Sequence, residues 1–165
     1  MNKTTIYTDG SSRGNPGPGG WGAIIIGNDE IREIGGREIT TTNNRMELRG
    51  TIEALRMVQK GSEIIIYTDS EYVVKGITSW IHNWIKNNWK TSNRKPVVNQ
   101  DLWKELLSVS DGKNIEWKNV EGHAGIAGNE RTDEIATNFA DNGEIQLFSG
   151  SIDEYPFTNI IKDVL

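Results

Sequence analysis

Four carboxylates stand where their types and spacing could do chemistry together. Asp9 and Asp69 close two nearly identical phrases, Ile6-Tyr7-Thr8-Asp9-Gly10 and Ile66-Tyr67-Thr68-Asp69-Ser70. If those runs are adjacent parallel strands, both acids leave the sheet at the same edge, where α/β folds tend to bind ligands. Glu47 lies in Thr42-Asn43-Asn44-Arg45-Met46-Glu47-Leu48, and Asp133 in Asn129-Glu130-Arg131-Thr132-Asp133-Glu134. Each acid also has a purely structural explanation. Asp9-Gly10 reads as a turn, and Asp69 as a helix N-cap. Glu47 completes a capping box if Asn44 is the N-cap, and Asp133 sits near a helix start, where the macrodipole favours acids. Taken singly, these alternatives stand. They do not explain the set, because clustered carboxylates repel one another unless something positive sits among them.

An oxygen-only donor set suits a hard cation, Mg²⁺ with Mn²⁺ as a possible substitute, rather than zinc. The chain has no cysteine, which excludes a thiolate metal site and a disulfide framework. Two such ions about 3.5–4 Å apart can flank a phosphodiester, one activating water and the other stabilising the leaving oxygen. The only histidines are His82 and His123. His82, inside Trp80-Ile81-His82-Asn83-Trp84, reads as structural. His123, in the glycine-flanked loop Glu121-Gly122-His123-Ala124-Gly125 ahead of Asp133, could move protons near its own pKa, although a lone loop histidine often does nothing.

The elements that must position these residues follow from periodicity. Lys3–Thr8 is β-branched and aromatic, Trp21–Ile26 and Arg32–Thr40 read as further strands, and Gly27-Asn28-Asp29 as the hairpin turn between them. An antiparallel meander is expected. From Asn43 to Lys60 the apolar residues Met46, Leu48, Ile52, Leu55 and Val58 recur at helical spacing, with Gly61 as a stop. Glu63–Thr68 is a near-continuous apolar run, suited to a central strand covered on both faces. Strand, helix and strand in succession place it parallel to an earlier strand. Short helices are expected across 70–88, another helix over Gln100–Ser108, a strand over Asn114–Lys118 and a final helix from about Gly128 to Asp141. The sum is one α/β domain with a mixed sheet, a size able to bury about two-thirds of its unfolded surface.

Net charge is −5, which at first argues against a nucleic-acid partner. The distribution argues otherwise. Residues 141–165 carry Asp141, Glu144, Asp153, Glu154 and Asp163 against Lys162, a net of −4, leaving about −1 for the rest. Residues 75–95 contain Lys75, Lys86, Lys90, Arg94 and Lys95 with no acid, a candidate backbone-binding patch. The tail from Asn142 includes Ser149-Gly150-Ser151, which looks flexible. Its Tyr155, Phe157, Ile160 and Ile161 are nevertheless too apolar for a solvated segment. It is expected to dock on its own domain, with an unknown partner as the alternative. No apolar stretch approaches a membrane span, and Met1–Thr5 carries no apolar leader, so the expected location is the cytoplasm.

Four long phrases, in order and in register, resemble bacterial ribonuclease HI. They are Thr8-Asp9-Gly10-Ser11 with Gly14-Asn15-Pro16-Gly17-Pro18-Gly19-Gly20; Thr41-Thr42-Asn43-Asn44-Arg45-Met46-Glu47-Leu48; Thr68-Asp69-Ser70-Glu71-Tyr72-Val73; and Gly122-His123-Ala124-Gly125 with Asn129–Glu134. The resemblance covers about residues 3 to 140. It implies a ribonuclease H-like fold, a five-stranded mixed sheet flanked by helices. It divides the chain into a catalytic domain, 1–141, and an acidic, apolar extension, 142–165. The activity implied is metal-dependent cleavage of the RNA strand of an RNA–DNA hybrid, giving 5′-phosphate and 3′-hydroxyl ends, by a monomer.

The same resemblance assigns metal ligation to Asp9, Glu47, Asp69 and Asp133, with two ions when substrate is bound. It gives His123 a proton-transfer or product-release role. Asn15, Asn43 and Asn44 would touch the minor groove, Thr42 and Asn83 a DNA phosphate, and Trp84 a deoxyribose. Residues 80–95 match a protruding basic handle. There Lys86, Lys90, Arg94 and Lys95 have no obvious structural need, and their interleaving with aromatics suits a nucleic-acid backbone. The handle is less basic than in some members, and Glu71 stands where a groove-contacting Gln is common. The first departure predicts weaker substrate binding, and the second puts that groove contact in doubt. Two rivals are a resolvase- or integrase-like nuclease, which would cut double-stranded DNA, and a hybrid-binding module without turnover.

Overall fold

The computed structural model describes residues 3–121 and 125–165. The meander is longer than its apolar runs, with β1 over Lys3–Ser12, β2 over Gly17–Gly27 and β3 over Glu30–Thr41. Asn28 and Asp29 take φ values of 54° and 61°, the left-handed pair that a tight hairpin between twisted strands requires. Helix α1 (Asn43–Arg56) ends four residues before the expected Lys60, capped at Met57, and Gly61 turns the chain into β4 (Glu63–Thr68) with φ 85°. The expected helical stretch over 70–88 breaks into α2 (Glu71–Lys75), a π-helical turn (Gly76–Trp80) and α3 (Ile81–Lys86). Then come α4 (Gln100–Ser110), β5 (Asn114–Asn119) and α5 (Ala127–Ala140).

The sheet runs β5-β4-β1-β2-β3-β6, with β4 parallel to β1 and β5, and β1, β2 and β3 antiparallel. It has six strands where five were expected. The sixth, β6 (Ser149–Ser151), pairs antiparallel with Glu30–Arg32, so the Ser-Gly-Ser stretch that looked flexible is hydrogen-bonded edge strand. Nor is α5 the last helix, since α6 (Thr158–Val164) follows. Among the described residues no helix is long and apolar enough to cross a membrane.

Helices cover both faces of the sheet, each over its own apolar layer. On one face, Leu48, Ile52 and Leu55 of α1 and Leu102, Trp103 and Leu106 of α4 close over Ile6, Ala23, Ile64 and Ile66. Trp103 is fully buried, and its ring lies so close to Gly76 that a Cβ there would stand 2.0 Å from it. That close approach lets the π-helical turn pass over α4. On the other face, Ile135 of α5 joins Tyr7, Ile24, Ile26 and Ile31 together with Tyr155 and Ile160.

A buried ion pair sits at the margin of this second layer. Glu33 on β3 receives Arg131 of α5 at 2.8 Å on both carboxylate oxygens, the Tyr155 hydroxyl at 2.7 Å and the Phe148 amide at 3.0 Å. Arg131 also donates to the Gln146 carbonyl at 3.0 Å and lies 4.4 Å over the Phe157 ring. Burial would raise the Glu33 carboxyl, but Arg131, Tyr155 and the Phe148 amide outweigh it and hold the group below its ordinary value. A depressed acid stabilises the fold above its unfolded value of about pH 4.3 and loses that contribution as pH falls through the folded value. Glu33→Gln leaves the Arg131 charge buried without its counter-ion, a loss of about 3 kcal/mol expected at pH 7. Denaturant titrations at pH 7 and pH 3 should show the gap between wild type and variant shrinking at the lower pH. A constant gap would mean that Glu33 does not titrate in this range.

Candidate active site

Sheet register brings the first two acids together. Tyr7 and Tyr67 are partners in the parallel β1–β4 ladder and their rings stack at 5.1 Å. Asp69 stands just past the end of β4, near enough for its charge to raise the Asp9 carboxyl, and Asp9 lies two residues further along β1 than Tyr7, on the same face. That is the α5 face, and Asp133 of α5 approaches Asp9 within hydrogen-bonding reach. Glu47 arrives from the opposite side, where Gly10 lets β1 touch the start of α1. A Cβ on Gly10 would lie 2.2 Å from the Glu47 amide nitrogen.

The local geometry removes the structural explanations one by one. Asp9 and Gly10 are not in a turn, because β1 continues to Ser12 and they pair with Gly22 and Trp21. The cap of α2 is Ser70, whose Oγ accepts from the Val73 amide at 3.1 Å, so Asp69 is not a cap. The cap of α1 is Thr42, not Asn44, through an acceptance from the Arg45 amide at 3.2 Å. Glu47 is therefore the fifth residue of the helix, too deep for a capping box. Helix α5 begins at Ala127, which puts Asp133 beyond the first turn, where the dipole effect has faded.

Burial and like charge set the electrostatics. Desolvation pushes the Asp9 carboxyl up to about 9, with Asp69 and Asp133 adding to the rise and the Gly10 amide opposing it at 2.8 Å. Desolvation raises Glu47 to about 7, Asp69 adds to this and the Ser70 hydroxyl opposes it. Asn43 Nδ2 donates to Glu47 Oε1, while Oε2 is buried with no hydrogen-bond partner among the described residues. A strained acid pair beside a buried, unsatisfied carboxylate oxygen fits a hard divalent cation. Among the described residues no group of three or more His, Cys, Asp or Glu side chains is drawn together closely enough to hold a metal ion.

Two of the three asparagines expected to face a groove, Asn15 and Asn43, are tied to this cluster. The Asn43 amide donates to Asn15 Oδ1 at 3.1 Å, and Ser12 Oγ bonds the same oxygen at 3.2 Å. Asn15 and Asn44 are exposed, Asn43 half-buried. Thr42 uses its oxygen as acceptor for the cap, which leaves its hydroxyl proton to donate to a phosphate.

The RNase H family model matches residues 1–141. The chain belongs to the RNase H family. It is 55% identical to ribonuclease H of Rickettsia massiliae over 134 residues, 81% of this chain and 88% of that one. It is 53% identical to ribonuclease H of Thermosynechococcus vestitus over 146 residues, 86% of this chain and 91% of that one. Among solved structures, LC9-RNase H1, described as a type 1 RNase H with the type 2 active-site motif, superposes with a TM-score of 0.78 at 34% identity, covering 93% of this chain and 80% of that one. LC11-RNase H1 in complex with RNA/DNA hybrid shares the fold with a TM-score of 0.61 at 23% identity, covering 84% and 97%.

In this RNase H the basic handle projects from the α3–α4 connection. Lys86, Lys90, Arg94, Lys95 and Asn83 are exposed. Asn88, Trp89 and Arg94 have positive φ, and Lys90 bridges to Pro96. Aromatic rings anchor the handle's base. Trp84 lies 5.3 Å from Trp103 and 6.2 Å from Trp89, while Trp80 is 39% exposed and does not belong to the core. His82 is likewise exposed, which corrects its structural reading. Glu71 pairs with Lys75 at 3.4 Å, so part of its negative charge is offset locally.

His123 lies outside the described residues. Sequence reasoning passed over two positioning residues. Ser70 bears on Glu47 and caps α2. Arg45 ties the start of α1 to Asp101 through two bonds of 2.9 and 2.8 Å, and to Asn99 at 3.2 Å. The caps could have been read from Thr-Asn-Asn and Asp-Ser, since Thr and Ser compete with Asn and Asp for the same position.

Because Asp9 is a buried acid among acids, Asp9→Asn should raise thermal stability when divalent metal is chelated, by about 1–2 kcal/mol or roughly 3–6 °C. Calorimetry in EDTA checks this. A marked loss of Tm would restore the structural reading of Asp9.

Proposed function

We propose that this RNase H hydrolyses the RNA strand of RNA–DNA hybrids, with Asp9, Glu47, Asp69 and Asp133 holding Mg²⁺, or Mn²⁺ in its place. The observation that carries the residue assignment is the Asp9 carboxyl at the end of the β1–β4 ladder, pushed up to about 9 by burial with Asp69 and Asp133 adding to the rise, while Asp69 also raises Glu47. Such a site is unfavourable in isolation and becomes favourable when a cation neutralises it. Two ions held there with substrate would supply activation of the attacking water and neutralisation of the leaving oxygen. Water oxygen attacks phosphorus, the P–O3′ bond breaks, and the products carry 5′-phosphate and 3′-hydroxyl ends.

The remaining residues bind and orient. Asn15, Asn43 and Asn44 face the minor groove, where RNA displays its 2′-hydroxyls. Asn43 has a second amide proton free of Glu47 to offer there. Thr42 and Asn83 hold a phosphate of the DNA strand, aided by the N-terminus of α1. Trp84 packs on a deoxyribose, and Lys86, Lys90, Arg94 and Lys95 neutralise the DNA backbone. His123 moves a proton to or from the reacting phosphate or helps release product. A requirement that the DNA strand deform into the phosphate site excludes duplex RNA.

The unit that does this is the catalytic domain 1–141, a reading supported by the span of the family match. Residues 142–165 are an extension docked on that domain, as supported by the bonds of Tyr155, Phe148 and β6 to β3. The protein acts as a cytoplasmic monomer.

Cleavage of a 5′-labelled RNA strand in RNA–DNA and RNA–RNA duplexes, beside a labelled DNA–DNA duplex, tests the function. Cutting of the hybrid alone, with Mg²⁺ and not with EDTA, is expected. Cutting of DNA–DNA would favour the resolvase-like alternative, and binding without turnover the module. Asp9→Asn should abolish cutting while preserving hybrid binding. Replacing Lys86, Lys90, Arg94 and Lys95 with alanine should weaken hybrid binding and flatten its salt dependence by about 0.9 for each phosphate no longer neutralised. An unchanged salt slope would remove the handle from the interface.

A further inference from the structure

Helix α5 carries Asp133 on one flank and Arg131 on the other. Successive helical residues are about 100° apart. Thr132 is fully buried between the two, so Arg131 and Asp133 leave on opposite sides of the line facing the sheet. On the Asp133 side stands Asp9, which Asp133 approaches within hydrogen-bonding reach. That approach is kept only at one rotation of α5 about its axis.

Beneath α5 the sheet presents bare backbone at three places. The helix rests on Gly20, Gly22 and Gly35, where an added Cβ would come within 2.3, 2.7 and 2.4 Å of Ala136, Ile135 and Phe139 respectively. Glycines let the helix lie close, and its Ile135 fills the apolar layer beside them. A carboxylate about 6 Å from the helix axis moves roughly 1 Å for a 10° roll, whereas a metal site tolerates about 0.2 Å. Something must stop the roll.

We propose that the Tyr155–Glu33–Arg131 network is a positioning device that fixes the rotation of α5 and so holds Asp133 in the carboxylate cluster. Arg131 is gripped on the flank opposite Asp133 by Glu33, by the Gln146 carbonyl and by the Phe157 ring. Glu33 belongs to β3, a strand fixed on both edges by β2 and β6. Three of the groups that complete the grip, Gln146, Tyr155 and Phe157, come from residues 142–165, beyond the stretch matched by the family model. The extension therefore acts on the active site without touching it, and Glu33, Arg131 and Tyr155 are positioning residues. This rests on the reading of Asp133 as a metal ligand.

The test uses the full chain and Mn²⁺ as probe. Calorimetric Mn²⁺ binding without substrate is compared for wild type, Tyr155→Phe, Glu33→Gln, Asp133→Asn and Val58→Ala, a core truncation in the opposite apolar layer. Melting temperatures are measured alongside. Glu33→Gln should bind Mn²⁺ on the order of tenfold more weakly, the lower range for groups that orient ligands. Tyr155→Phe should follow in the same direction, and both should reach wild-type hybrid-cleavage kcat at saturating metal. Val58→Ala should lose melting temperature and keep its Mn²⁺ affinity. Wild-type affinity in both Glu33→Gln and Tyr155→Phe, or an equal loss in Val58→Ala, would overturn the proposal. If Asp133→Asn binds Mn²⁺ like wild type, the ligand assignment fails and the positioning role fails with it. If Asp133→Asn alone loses affinity, only the positioning role falls.

Discussion

Carboxylates that repel one another must be brought together around the buried Asp9, with Glu47 and Asp69 half-buried and Asp133 at the surface, and much of this molecule follows from that constraint. The parallel β1–β4 ladder, paired as far as Tyr7 and Tyr67, brings Asp9 and the residue just past β4, Asp69, out at the same end of the sheet. Gly10 lets the start of α1 touch β1, so that Glu47 comes in from the other face. Helix α5 spans β1, β2 and β3 and delivers Asp133 from a third direction. Each acid thus arrives on a different element, and each element is anchored in an apolar layer distant from the charges. The two layers sustain an arrangement that the acids, left to themselves, would disperse.

Charge is partitioned across the molecule accordingly. The overall −5 says little, because the acids of the cluster, the acids of the extension and the cations of the handle occupy separate regions. Ion pairs inside the body serve its architecture. Arg49 engages Glu38, Glu53 and Glu105, and Arg45 engages Asp101. Lys86, Lys90, Arg94 and Lys95 stand apart from these on a projection whose base is packed by Trp84 and Trp89. An electrostatic footprint acts over about a Debye length, so this local separation, more than the sum, decides what backbone the surface attracts.

Much of this was legible in the sequence, and the gaps have physical causes. Strong periodicity gave the meander, α1, β4, α4 and α5, because each buries one stripe or face. Element ends were less legible. Strands ran past their apolar runs into Gly17-Pro18-Gly19-Gly20 and Asp9–Ser12, since ladder hydrogen bonds, rather than side chains, set their limits. The sixth strand was missed because Ser149-Gly150-Ser151 has no strand propensity of its own and pairs only where β3 leaves an open edge. The family motifs singled out Asp9, Glu47, Asp69 and Asp133, while their local alternatives could be removed only with the caps in hand. The Glu33–Arg131 pair was invisible, because its partners lie 98 residues apart and neither belongs to a periodic pattern.

The link between binding and chemistry runs through one side chain. Asn43 donates its backbone amide to Asn15 and a side-chain proton to Glu47, so the loop after β1, the first residue of α1 and a cluster acid form one hydrogen-bonded chain. A groove that engages the remaining Asn43 proton must accept the orientation Glu47 imposes, and Glu47 in turn inherits the order that the groove confers. Duplexes without a correctly placed 2′-hydroxyl leave that proton unmatched, a penalty of the size that buried unsatisfied donors carry, about 1–3 kcal/mol. Under the proposed function, discrimination would thereby fall to the same residue that hydrogen-bonds a cluster acid. Recognition of RNA and the placing of Glu47 would then both depend on a single side-chain orientation.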